Sequence, residues 1–181
     1  MNTRTALLGT LMLGTSVLLA AGAAPARADT KPHEHGAMKV DIAIDGAELT
    51  IAVEMPLDNL VGFERAPRND AERKTAADAL AKMRAGGNLW KPNAEAQCTL
   101  ASAKVEAPVL EPGAKASTGD HADLDGTYVF KCGQAAKLAT LDVGVFDAFK
   151  RVKRIEVQIA GPKGQGKTVL RPPAREVRLV K

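Results

Sequence analysis

Polar and apolar positions first fall into period two at Met38. Met38, Val40, Ile42 and Ile44 alternate with polar or small residues, Asp45-Gly46 offers a turn, and Leu49, Ile51, Val53 and Met55 resume the alternation. Two such runs joined by Asp-Gly predict a β-hairpin with one buried face. Residues 56-PLDNLVGFERAPR-68 carry two prolines and a glycine and read as a loop, with Leu60, Val61 and Phe63 packing down onto the core. The period then lengthens. Asn69 suits an N-cap, Glu72 its capping-box partner, and Ala76, Ala77, Leu80 and Met83 follow at helical spacing until Gly86-Gly87.

Beyond Trp90, residues 98 to 110 read as a strand that ends near Pro112, followed by the polar loop 111-EPGAKASTGD-120. Leu124, Tyr128, Phe130 and Cys132 mark the next strand, with an irregularity expected at Gly126. A helical turn near Gln134, a strand at 141–145, a short helix around 146–151 and strands at 155–160, 167–171 and 176–180 complete the chain. The pattern predicts one α+β domain, a mostly antiparallel β-sheet with one or two short helices.

The beginning of the chain follows a different logic. Arg4 precedes an unbroken run of apolar and small residues from Ala6 to Ala24, and 26-ARA-28 supplies a small-x-small cleavage pattern. Residues 1–28 therefore read as a Sec-type signal peptide, which predicts a periplasmic domain of residues 29–181. The apolar run is short and studded with Gly and Thr, so no membrane span is expected in the mature chain. No cysteine follows it closely, which argues against a lipoprotein.

Charge narrows the function only by exclusion. Removing 28 of 181 residues takes Arg4 and Arg27 with it, so the net charge falls from +4 to +2. With aromatics at 3%, this is no nucleic-acid-binding composition. The basic run 150-KRVKR-154 reads as a solvated face or strand end. Two cysteines, Cys98 and Cys132, in an exported chain predict one structural disulfide rather than a thiolate metal pair. On the chain-entropy model such a link stabilises the fold by roughly 3–4 kcal/mol.

One motif misleads. Residues 161-GPKGQGKT-168 match the phosphate-binding pattern G-x-x-x-x-G-K-[ST] letter for letter. That loop needs a helix after it, and 169-VLRPP-173 forbids one. A glycine-rich turn between two strands accounts for the same residues. No nucleotide is expected.

The histidines carry the chemistry. Of three in the chain, His33 and His35 stand one residue apart in 31-KPHEHG-36, and His121 stands in 120-DHAD-123 with Asp123 two residues on. Side chains at i and i+2 of an extended segment project together. Two such pairs could supply three imidazoles and a carboxylate, a set suited to tetrahedral Zn²⁺, with Glu34 and Asp120 in reserve. The amino-terminal copper and nickel mode needs His third, and with Asp29 first His33 is fifth. An H-x-H near a new N-terminus also suits a flexible leader. Zinc affinity is expected to fall as pH drops through the ordinary imidazole pKa near 6.5, because ligation needs neutral His.

The order HEHG, hairpin, 59-NLVGFERAPRNDAE-72, Cys98, 121-HADLDGTYVFKC-132 and 155-IEVQIAGPKGQG-166 resembles the ZrgA-like family of zinc-regulated periplasmic proteins, over nearly all of the mature chain. The resemblance implies a periplasmic zinc-binding protein associated with zinc import. His33 and His35 match the family's His-x-His-Gly, and His121 matches the His that opens the strand before the second cysteine. Many relatives carry a long His/Asp/Glu-rich insertion before that position. Here the loop 111–120 is short, which argues against high-capacity storage. The expected function is zinc buffering or assistance to a zinc importer. The alternative is a metal-independent interaction or envelope-assembly module. No H-E-x-x-H and no nucleophile–base set is present, so no enzyme is expected.

Overall fold

The computed structural model describes residues 34–114 and 122–179. The leader reading of residues 1–28, and His33, Asp120 and His121, lie outside the described residues. Among the described residues two sheets and one long helix enclose a single core. The expected hairpin is present as β1 (Ala37–Asp45) and β2 (Glu48–Pro56), with Ile42 opposite Ile51 and Val40 opposite Val53 on the buried face. Alternation drives this pairing: one register sets every apolar side chain inward, and a slip by one residue would expose them all.

The 56–68 segment is more ordered than its prolines and glycine suggest. Leu57–Val61 forms a one-turn helix, α1, closed by Gly62 at φ +88°. Leu60 is buried, and Val61 and Phe63 pack against the core as expected. Helix α2 (Asp70–Ala85) starts at Asn69, whose side chain accepts the Glu72 amide. Glu72 does not complete the capping box. Its carboxylate accepts from the Arg68 amide at 2.7 Å and from the Arg65 guanidinium at 2.7 and 2.9 Å. A bidentate arginine outcompetes a lone backbone donor, so Glu72 ties down the 65–68 segment instead.

Strand β3 (Trp90–Pro92) is an element the apolar pattern did not reveal, being only three residues long. Strand β4 (Cys98–Glu106) is shorter than expected, because Ala107 leads into a 3₁₀ turn at Pro108–Leu110. Strand β5 (Asp123–Cys132) runs without a break, and the irregularity expected at Gly126 lies on β4, between Leu100 and Ser102. Gly126 serves close packing, since a Cβ there would lie 2.8 Å from Val53 Cγ2. Strand β6 (Thr140–Val143), helix α3 (Val145–Ala148), β7 (Arg154–Gly161), β8 (Gly164–Leu170) and β9 (Glu176–Arg178) follow. The residues 161–164 turn β7 into β8, and the P-loop lookalike is a hairpin.

The large sheet has the order β4-β5-β2-β1-β7-β8, and the small sheet β3-β6-β9. All pairs are antiparallel except β1 with β7. Tyr128 joins the layers. Its ring lies 5.7 Å from that of Trp90 on the small sheet, and its hydroxyl donates to the Met83 carbonyl at the end of α2 at 2.9 Å. Burial pushes its pKa up to about 12. Cys98 and Cys132 stand opposite one another on β4 and β5 and form the expected disulfide.

The register fixes which residues share an end of the large sheet. Pro56 of β2 pairs with Asp123 of β5, and Ala37 of β1 pairs with Arg154 of β7. Extending the Lys39–Glu54 register brings Ala37 beside Pro56. The starts of β1, β5 and β7 therefore flank the point where β2 runs into α1. The disulfide and the β7–β8 turn occupy the opposite end.

Candidate metal site

His35 sits at that first end, two residues before β1. It lies in a turn rather than the extended segment expected from H-x-H spacing: Ala37 donates back to the Glu34 carbonyl at 3.0 Å, and Gly36 takes φ +83°. That φ favours glycine because a Cβ would crowd the backbone.

The turn is held from three directions. Asn59, 1% exposed and the one buried polar residue among those described, accepts the Gly36 amide at 2.6 Å and donates to the Ala37 carbonyl at 2.6 Å. The Gly36 carbonyl accepts from the amides of Lys153 and Arg154, at 2.7 and 2.9 Å. The Arg154 guanidinium pairs with the Glu34 carboxylate at 2.5 Å. Glu34, a reserve ligand on sequence grounds, is thus engaged by an arginine. The basic run 150–154 proves to be the entry to β7, with Arg151 beside Asp58 at 3.5 Å and Lys150 beside Asp147 at 3.7 Å.

The imidazole of His35 is more than half exposed, and its Nε2 donates to Glu64 Oε1 at 3.1 Å. Glu64 is largely buried. In the neutral tautomer that this bond selects, the lone pair resides on Nδ1. A carboxylate that holds one ring nitrogen's proton fixes the tautomer and frees the other nitrogen for a metal. Sequence reading missed Glu64. Its signal was its place in 59-NLVGFE-64, the segment that also supplies Asn59.

Asp123 opens β5 at the same end, opposite Pro56, and the carbonyl just before it, that of Ala122, accepts the Leu57 amide at 2.9 Å. Helix α1 is thus tied to both segments, through Asn59 to the His35 turn and through Leu57 to the Asp123 segment. Two residues further in, Glu54, Asp125 and Glu106 stand side by side on β2, β5 and β4. Burial, and then Glu54 and Glu106, push the Asp125 carboxyl up. Glu54 and Glu106 each also pair with a lysine, Lys39 at 2.7 Å and Lys104 at 3.0 Å, so much of the row's charge is balanced within the sheet. Among the described residues no three His, Cys, Asp or Glu side chains come together closely enough to hold a metal. His35 and Asp123 reach one sheet end without forming a group of three. No described helix is long and apolar enough to cross a membrane.

Residues 32–179 match the family described as ZrgA family zinc uptake protein. The chain belongs to that family. No individual curated protein matches it. The ZrgA match covers both sheets and every element that builds the His35 end, and it ties the chain to a zinc-related role.

Proposed function

We propose that this protein is a periplasmic zinc-binding protein that buffers zinc or passes it to a zinc importer, after export on the 1–28 leader. His33, His35, His121 and Asp123 are the proposed ligands. The observation that carries the reading is the Nε2–H···Glu64 bond of His35, which leaves Nδ1 as the metal-facing nitrogen in a turn already fixed by Asn59. Imidazole nitrogen with one carboxylate suits Zn²⁺. The family's zinc role agrees in kind.

The test is a calorimetric zinc titration of chelator-stripped protein beside a His33→Ala/His35→Ala/His121→Ala variant and Glu64→Gln. One tight zinc per chain is expected, lost in the triple variant and weakened about 10–100-fold in Glu64→Gln, the range found for carboxylates that orient a metal-bound histidine. Unchanged zinc affinity in the triple variant would overturn the site. No heat from the unmodified protein would favour the metal-independent interaction module.

A further inference from the structure

At the opposite end of the large sheet the β7–β8 hairpin, residues 135–138 and the end of β9 line a cavity of about 460 Å³. That volume falls in the range of small-molecule sites, roughly 300–1,000 Å³. Ile44 and Ile159, both only partly buried, form its apolar floor, and Leu138 and Leu179 form its walls. Lys163 and Arg178 stand exposed among the described lining residues, which include no carboxylate side chain. Among the described residues neither cation has an ion-pair partner, whereas Lys167 lies 3.8 Å from Glu156.

The glycines of this hairpin do different work. Gly164, at φ +111°, is required by the turn. Gly166 has no such φ, and a Cβ on it would meet only Ile159 Cδ1, at 3.9 Å. Backbone and packing would both accept a side chain there. Glycine within a strand weakens it and often marks a place where something approaches closely. Here its effect is to leave the space above Ile159 open.

We propose that this cavity binds an amphiphilic monoanion, a carboxylate on an unbranched apolar chain, with the chain over Ile44 and Ile159 and the carboxylate between Lys163 and Arg178. Apolar floor and cationic mouth complement the two halves of such a molecule. A nucleotide does not fit. Lys167 and Thr168 continue as strand to Leu170, so no helix N-terminus meets a phosphate there, and among the described residues no aromatic side chain lines the cavity to stack a base. The proposal is independent of the zinc reading, because β1 separates the two sites by its full length.

Decanoate below its micelle concentration, titrated calorimetrically into the purified protein at low salt, tests it. Expected are one saturable site, binding at least roughly tenfold weaker in Gly166→Leu, and binding about fivefold or more weaker in Lys163→Glu/Arg178→Glu. Decanol, which lacks the charge, is expected to bind more weakly than decanoate. Circular dichroism and melting curves confirm that each variant is folded, and the charge variant changes only surface residues. No decanoate binding, undiminished binding in Gly166→Leu, or equal binding of decanol together with an inert charge variant would each overturn the proposal.

Discussion

The side chain of Asn59 accepts the amide of Gly36 at 2.6 Å, and this bond fastens helix α1 to the residue that follows His35. Because the same carboxamide also donates to Ala37, one buried side chain satisfies both a donor and an acceptor of the turn. An aspartate would face the Ala37 carbonyl with a second oxygen. A leucine would satisfy neither group.

Asn59→Ala is therefore expected to destabilise the fold by about 2–4 kcal/mol, since two buried backbone groups lose their partners. Urea unfolding measures this directly. Asn59→Asp should recover little of the loss, and zinc affinity should fall in both.

Glu72 has a pKa held at about 2, first by the hydrogen bonds from Arg65 and then by that from the Arg68 amide. A carboxyl whose folded pKa is depressed stabilises the fold above its unfolded pKa, near 4.5, and loses that contribution as pH falls through the folded value. Stability is thus expected to decline between pH 4.5 and about 2, and Glu72→Gln to flatten that decline. Melting temperatures across this range, compared between the two proteins, check it.

Tyr128 behaves in the opposite sense. Its pKa rises from 10.0 to about 12 on folding, chiefly through burial, so the folded protein holds the proton where the unfolded chain releases it. Stability attributable to this group is complete below pH 10 and is lost as pH climbs toward 12, by about 2–3 kcal/mol over two pKa units. At neutral pH Tyr128→Phe should cost about 1–2 kcal/mol, because the Met83 carbonyl loses its side-chain donor. In alkali the gap between the two proteins should close.

Asp125 stands between Glu54 and Glu106, and like charges directly opposite on neighbouring strands repel. Asp125→Asn is expected to stabilise the metal-free protein by roughly 0.2–1 kcal/mol near neutral pH. The same change should weaken zinc binding and reduce its salt dependence, because it removes charge from the end where the cation arrives. Unfolding curves and zinc titrations at two salt concentrations separate the two effects.

Much of this fold was legible because alternation is a local signal. Met38 to Met55 announces its hairpin, and Asn69 to Gly86 its helix, from neighbouring residues alone. What escaped was decided at a distance. Glu72 has the right spacing for a capping box, yet Arg65 claims its carboxylate, and nothing in the spacing ranks the two donors. Gly126 resembles a strand defect, whereas its cause is the Val53 side chain across the sheet. The ligand-capable histidines were visible as residue types in a histidine-poor chain. The partner of His35 was not, because 29 residues separate it from Glu64 and only the path of α1 brings them together.

The pairing of β1 with β7 has a consequence for the order of events. Strand β1 can find its neighbour β2 at once, but the Gly36 carbonyl must wait for the amides of Lys153 and Arg154, more than a hundred residues later. Contacts so far apart in sequence form late and slowly. A chain cut short before β7 thus keeps the Asn59 bonds to the His35 turn but leaves the Gly36 carbonyl without its two donors. The shaped end of the sheet is a property of the finished molecule, and its appearance can serve as a clock for completed folding.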